Sequence, residues 1–195
     1  MKARMTLLLL AGLSVLLFAY PPPVVDCPCD HARPETLASR VCGLCRTAEQ
    51  SDSEDRSDPE NRGDSEFYFL KDTNPHKPNR HLALPRRHGR GLQSPASLSP
   101  PERARYWRAA IARARQLYGD RWGLASNGYF FRTQCHAHIH IGPLSPQVAD
   151  TGGEIHDDPA RFPSPGPEQG MWVHPKEGRY CVHRDRDLAE VVLVR

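Results

Sequence analysis

The chain has 195 residues, the length of one domain with appendages rather than of two full domains. A hydrophobic content of 38% with 19 prolines describes a loop-rich globular protein and excludes a polytopic membrane protein, a coiled coil and a collagen. The formal net charge of +3, partly supplied by Lys2 and Arg4, is too small for a general polyanion binder, so nucleic acid is not expected as a partner.

Residues 1–22 begin with Lys2 and Arg4, run on as an apolar stretch from Met5 to Tyr20, and meet Pro21, Pro22 and Pro23. A positive start followed by an apolar segment is the pattern of a secretory signal or signal anchor. The stretch is slightly short for a spanning helix, which needs about 20 residues, and no cleavage site stands out. A cleaved signal and a retained membrane anchor therefore both stay open. Either way the charges direct the remainder out of the cytoplasm, to a membrane-anchored, secreted or periplasmic location.

Residues 23–48 form a cysteine-rich segment with Cys27, Cys29, Cys42 and Cys45. Residues 49–65 form an acidic linker or loop; from Glu49 to Glu66 there are eight acidic and two basic residues. The remaining domain, 66–195, opens with two strand candidates, Glu66–Asp72 and Arg80–Pro85. Ser99-Pro100-Pro101-Glu102 has the capping-box pattern, with proline at the first helical position. The helix it opens carries Ala104, Trp107, Ile111, Ala114 and Tyr118 along one face, and Gly119 ends it. Arg103, Arg105, Arg108, Arg113 and Arg115 occupy the other face, read as solvated. Further strand candidates are 122–126, 136–141, 171–174, 179–183 and 190–194. One main helix among antiparallel-looking strands predicts an α+β fold.

The strongest chemical signal is Arg132 to Gly142, RTQCHAHIHIG. On a strand alternate residues share a face, so His136, His138 and His140 would point the same way. The outer two Cα atoms would then lie ~13 Å apart at ~3.3 Å per residue, too far for one ion to take all three. The three imidazoles are therefore expected to have distinct tasks.

The H-x-H-x-H row, followed by apolar residues and preceded by Asn127-Gly128, resembles the histidine triad (HIT) superfamily of nucleotide hydrolases and transferases. With FLKD (Phe69–Asp72), LALP (Leu82–Pro85), QSP (Gln93–Pro95) and RTQ-x-H-x-HIHI, it most resembles bacterial CDP-diacylglycerol pyrophosphatases over roughly residues 66–145. Those also carry an amino-terminal membrane segment. The resemblance implies a HIT-like antiparallel sheet with one main helix, and a hydrolase that cleaves a phosphoanhydride through a covalent histidine intermediate. His138 would be the nucleophile, His140 would orient it, and Thr133 or Gln134 would hydrogen-bond the phosphoryl oxygens. Arg132 would stabilise developing charge, and Asn127 would position the phosphate end of the substrate. The implied partner is a nucleotide or lipid-nucleotide substrate such as CDP-diacylglycerol, with a membrane if the leader is retained. HIT relatives are often homodimers. Transfer rather than hydrolysis, giving a nucleotidyltransferase, is the alternative within this chemistry.

Cys42-Gly-Leu-Cys45 adds a second constellation. Some HIT hydrolases and the related galactose-1-phosphate uridylyltransferases pair such a motif with two histidines around structural zinc. The matching positions here are His88 and His136, so the resemblance implies Zn2+ held by Cys42, Cys45, His88 and His136. The CDP-diacylglycerol pyrophosphatases lack that set, which places this chain apart from them. Disulfides among Cys27, Cys29, Cys42 and Cys45, or a four-thiolate metal site, are the rival uses of the same cysteines. A non-catalytic zinc-binding envelope protein is the reading from another class. Cys135 neighbours His136 and would face the core. Cys181, His174 and His183 form a smaller cluster on two candidate strands, either as core or exposed residues or with one lining the active site. Lys77, Arg80, Arg86, Arg87 and Arg90 could attract phosphate or simply be solvated.

Overall fold

The computed structural model describes residues 43–44, 66–86, 94–128, 131–132, 134, 136–166 and 169–195. The leader, nearly all of the cysteine-rich segment, and the acidic linker lie outside them. Among the described residues, seven strands form one antiparallel sheet: β1 (Phe67–Lys71), β2 (His81–Pro85), β3 (Trp122–Ser126), β4 (Ile139–Pro143), β5 (Glu154–His156), β6 (Met171–Lys176) and β7 (Arg179–His183). Their order across the sheet is β1-β2-β4-β3-β6-β7-β5. One long helix, α1 (Pro100–Tyr118), packs on one face, so the architecture is α+β. Among the described residues no helix is long and apolar enough to cross a membrane.

Helix α1 starts where the sequence signals it. The Glu102 carboxylate accepts from the Ser99 N–H at 3.1 Å and from the Ser99 hydroxyl at 2.5 Å, and prolines fill the first two helical positions. Gly119 closes the helix at φ +59°, a left-handed conformation that favours glycine, and its N–H donates to the Arg115 carbonyl. Ala104, Trp107, Ile111 and Ala114 are buried as the spacing predicts, and Tyr106 and Ala110 widen that face. Arg113 departs from the expected solvated row. It is only 5% exposed, with its guanidinium donating to Gln116 Oε1 at 2.8 Å.

Period-two alternation divides each strand between two sides. Phe67 and Phe69 of β1, Ala83 of β2, Trp122 and Leu124 of β3, Ile139 and Ile141 of β4, Met171 and Val173 of β6, and Val182 of β7 join the α1 core. The other face carries a smaller cluster of Ala125, Trp172, Ala189, Val192 and Leu193. The carboxyl-terminal segment therefore covers the side of the sheet that α1 leaves open.

Three element boundaries differ from expectation. Strand β4 begins at Ile139 rather than at His136, and the His136 carbonyl is taken by a side chain, His138 Nδ1. Residues 190–194 are not a strand. Ala189–Val192 make a single 3-10 turn, and Arg80 takes the carbonyls of Glu190, Leu193 and Val194 that a neighbouring strand would otherwise use. The short edge strand β5, paired with β7, has no clear signal in its sequence, Glu154-Ile155-His156.

Candidate active site

On the face opposite α1, a cleft of about 550 Å³ opens beside β4. Its wall brings together His138, His140, Gln134, Asn127 and Arg132, with Lys77 and Glu190. Thr133 lies outside the described residues. His136 is buried but does not line the cleft; its Nε2 is 2.8 Å from the Pro85 carbonyl. A carbonyl only accepts, so that nitrogen donates, and Nδ1 is left as the nitrogen that could reach a metal. Cys42, Cys45 and His88 lie outside the described residues, as does Cys135.

The same rule assigns His138. Its Nδ1 is 2.7 Å from the His136 carbonyl and must carry the proton, which leaves the lone pair on Nε2. Burial lowers the affinity of His138 for a second proton, and the Arg132 and Lys77 charges add to that, against the opposing effect of the His136 carbonyl and Glu190. The ring is therefore neutral at neutral pH.

His140 sits on β4 between Leu82 of β2 and Ala125 of β3 in the ladder. Its ring meets that of His138 edge-on, with centroids 5.0 Å apart. Neither of its nitrogens has a hydrogen-bond partner among the described residues, although both are buried. Burial, then the neighbouring His138, push its pKa down to about 3. Glu190 Oε2 is 3.6 Å from His140 Nδ1, but that carboxylate is already engaged by Lys77 at 2.5 Å and Arg80 at 2.7 Å. Burial works against the Glu190 charge; His140, Lys77 and Arg80 outweigh it and hold its pKa down to about 2.

Glu190 is the functional-site neighbour that sequence reading missed, because nothing in the spacing ties residue 190 to the histidine row. Its backbone N–H donates to Asn127 Oδ1 at 2.9 Å, so Asn127 anchors the segment that carries it. Arg80, expected on a solvated or phosphate-attracting surface, is instead 2% exposed and structural. Lys77 keeps its place at the cleft. On the apolar side, Leu44, Leu70 and Leu82 complete the wall.

A second group lies on the same face, two strands away. His174 of β6 stands across the ladder from Cys181 of β7, and His183 follows two residues on, so all three point the same way. Asp150 reaches them from the loop after β4. Asp150 Oδ1 lies 3.2 Å from His174 Nε2, 3.5 Å from His183 Nε2 and 3.6 Å from Cys181 Sγ. The two histidine Nε2 atoms are 3.3 Å apart, and Cys181 Sγ is 3.2 Å from His183 Nε2. These four residues could hold a metal ion. Burial, with Asp150 beside it, pushes the Cys181 thiol up to about 11, so without a cation it is no thiolate nucleophile. None of the four lines the cleft beside His138.

No protein-family model matches this chain, and no match is found among curated proteins.

Proposed function

We propose that this chain is a HIT-like hydrolase that cleaves a phosphoanhydride in a nucleotide-bearing substrate through a covalent intermediate on His138. One observation carries the reading. The His138 proton is held on Nδ1 by the His136 carbonyl, so Nε2 presents its lone pair in a cleft lined by cationic and amide side chains. Attack of Nε2 on phosphorus forms a P–N bond and breaks the bridging P–O bond, and the leaving phosphate departs with that electron pair. The phosphorylated ring is cationic, and the His136 carbonyl stabilises it through the Nδ1 proton. Water then attacks phosphorus, the P–N bond breaks with its electron pair returning to Nε2, a proton of the water passes to solvent, and His138 returns neutral.

Arg132 supplies charge for the phosphoryl oxygens, and Gln134 and Asn127 bound the same space. The orphan nitrogens of His140 gain a partner when substrate or its phosphate enters. Leu44, Leu70 and Leu82 offer the apolar contact that a nucleobase requires. CDP-diacylglycerol is the lipid-nucleotide candidate if residues 1–22 tether the chain to a membrane outside the cytoplasm. Structural zinc belongs to this reading, with Cys42, Cys45, His88 and His136 Nδ1 as the expected donors.

The test is product analysis. The purified full chain is incubated with CDP-diacylglycerol, dinucleoside polyphosphates and nucleotide sugars, alongside His138→Ala. Nucleoside monophosphate released by the parent, and reduced roughly a thousandfold or more in the variant, supports the reading. Appearance of a nucleotidyl adduct on an added acceptor would identify a nucleotidyltransferase instead. The Asp150, His174, Cys181 and His183 group favours a second reading, a non-catalytic zinc-binding envelope protein. Folded, metal-loaded protein that turns over none of these substrates would select it.

A further inference from the structure

We infer that Asp150, His174, Cys181 and His183 form a tetrahedral zinc site that locks the loop after β4 onto the β6–β7 hairpin. The site uses none of the residues of the cysteine motif at Cys42 and Cys45 or of the histidine row beside the cleft.

Three observations carry this. The first is spacing. A four-coordinate zinc with bonds of about 2.0–2.1 Å to nitrogen or oxygen and about 2.3 Å to sulfur puts its donor atoms about 3.3–3.6 Å apart. The five donor separations given above run from 3.2 to 3.6 Å. The second is orientation. His174 Nδ1 lies 3.0 Å from the Pro175 carbonyl and donates to it, so Nε2 is the nitrogen left to face the cluster and serve as the metal donor. The His183 ring is stacked on Trp172, centroids 3.7 Å apart and planes 6° apart, and Trp172 Nε1 donates to Asp185 at 2.6 Å. Lys176 holds the outer oxygen of Asp150 at 2.7 Å, leaving Oδ1 for the cluster.

The third is the close approach of the backbone. A Cβ on Gly153 would fall 2.6 Å from His183 Cε1 and Nε2 and clash with Cys181 Sγ. Only glycine lets the loop close this tightly over the donor atoms.

A cysteine–histidine relay does not fit this arrangement. A relay needs the carboxylate on one imidazole nitrogen and the thiol on the other. Here Asp150, Cys181 and His174 all converge on the single Nε2 of His183, while its Nδ1 has no partner among the described residues. Two imidazoles, one thiolate and one carboxylate, with the three hairpin donors buried, suit zinc in a structural role. A proton on His174 is the rival occupant of the same space.

The test uses the full chain carrying Cys42→Ser and Cys45→Ser, stripped with chelator and titrated with Co2+ and then Zn2+. The expected result is one Co2+ per chain, with tetrahedral d–d absorption and a thiolate-to-metal band in the near ultraviolet. Cys181→Ser in that background removes the band, and His183→Gln weakens uptake at least tenfold. Should either variant fail to fold, the unfolding temperature of the Cys42→Ser/Cys45→Ser chain decides. Micromolar Zn2+ raises it if the site exists. No uptake and no thermal shift, or a band unchanged by Cys181→Ser in folded protein, overturns the inference.

Discussion

At the residue scale, the proposed mechanism makes the proton held on His138 Nδ1 govern how activity should vary with pH. Nε2 acts only while it is unprotonated, and burial makes protonation harder than for a histidine in water. The acid limb of kcat/KM, which reports the free enzyme, is therefore expected below 6.5, and activity falls as pH drops through it. A pH–rate profile from 4 to 9 measures this; a limb at or above 7 would contradict the neutral, buried nucleophile. The spacing of the histidine row already carried part of this picture, since His138 and His140 do share one side of the sheet. The hydrogen bond that assigns the tautomer was not legible, because it depends on β4 starting three residues later than the alternation suggests. Glu190 was hidden for a different reason: sequence patterns report neighbours along the chain, and Glu190 meets His140 from 50 residues away.

At the element scale, the β6–β7 hairpin and the loop after β4 show what a glycine pair can conceal. Gly152-Gly153 lies in that loop, and a Cβ on Gly153 would run into Cys181 and His183. Gly153→Ala is expected to cost about 1–3 kcal/mol of stability through overpacking, and to weaken metal uptake as the loop is pushed outward. Denaturant unfolding with and without Zn2+ measures both. An alanine variant as stable as the parent would mean that the loop yields freely. The hairpin strands themselves were readable from alternation, as were β1, β2, β3 and helix α1 with its proline start and glycine stop. Strand β5 was not, because three residues at a sheet edge leave too little pattern to detect. Residues 190–194 misled for a physical reason: their apolar character is real, but they pair at a single bridge, Leu193 with Leu144, and Arg80 takes the carbonyls of Glu190, Leu193 and Val194.

At the scale of the whole molecule, the sheet separates its duties by face. The α1 side is an apolar core, while the opposite side holds the cleft and the Asp150, His174, Cys181 and His183 group, with the carboxyl-terminal segment packed on it. Burying titratable groups on that side makes the fold acid-sensitive. An unfolded chain binds a proton at His140 near 6.5, whereas the folded chain accepts it only near 3. Between these values the unfolded state binds more protons, so stability is lost as pH falls from 6.5 towards 3. Glu190 adds to this from 4.5 downwards, because its folded value is about 2. The unfolding temperature is expected to drop steadily from pH 7 to pH 4, as calorimetry would read; a flat profile would mean that these side chains are solvated. The gathering of histidines on one face was foreseeable from their spacing, whereas its closure by residues 189–193 was not. That closure depends on Arg80, whose partners lie 110 to 114 residues further along the chain.

Arg80 therefore also sets a clock. Its guanidinium reaches Glu190, Leu193 and Val194, so the carboxylate beside His140 arrives only when a segment more than a hundred residues after Arg80 has been made. Synthesis proceeds at roughly 5–20 residues per second, and contacts between distant parts of a chain form late. A chain emerging from a ribosome would carry both histidines before residues 190–194 complete their surroundings. The cleft proposed for catalysis would then be complete only once Glu190 and its neighbours had joined Arg80.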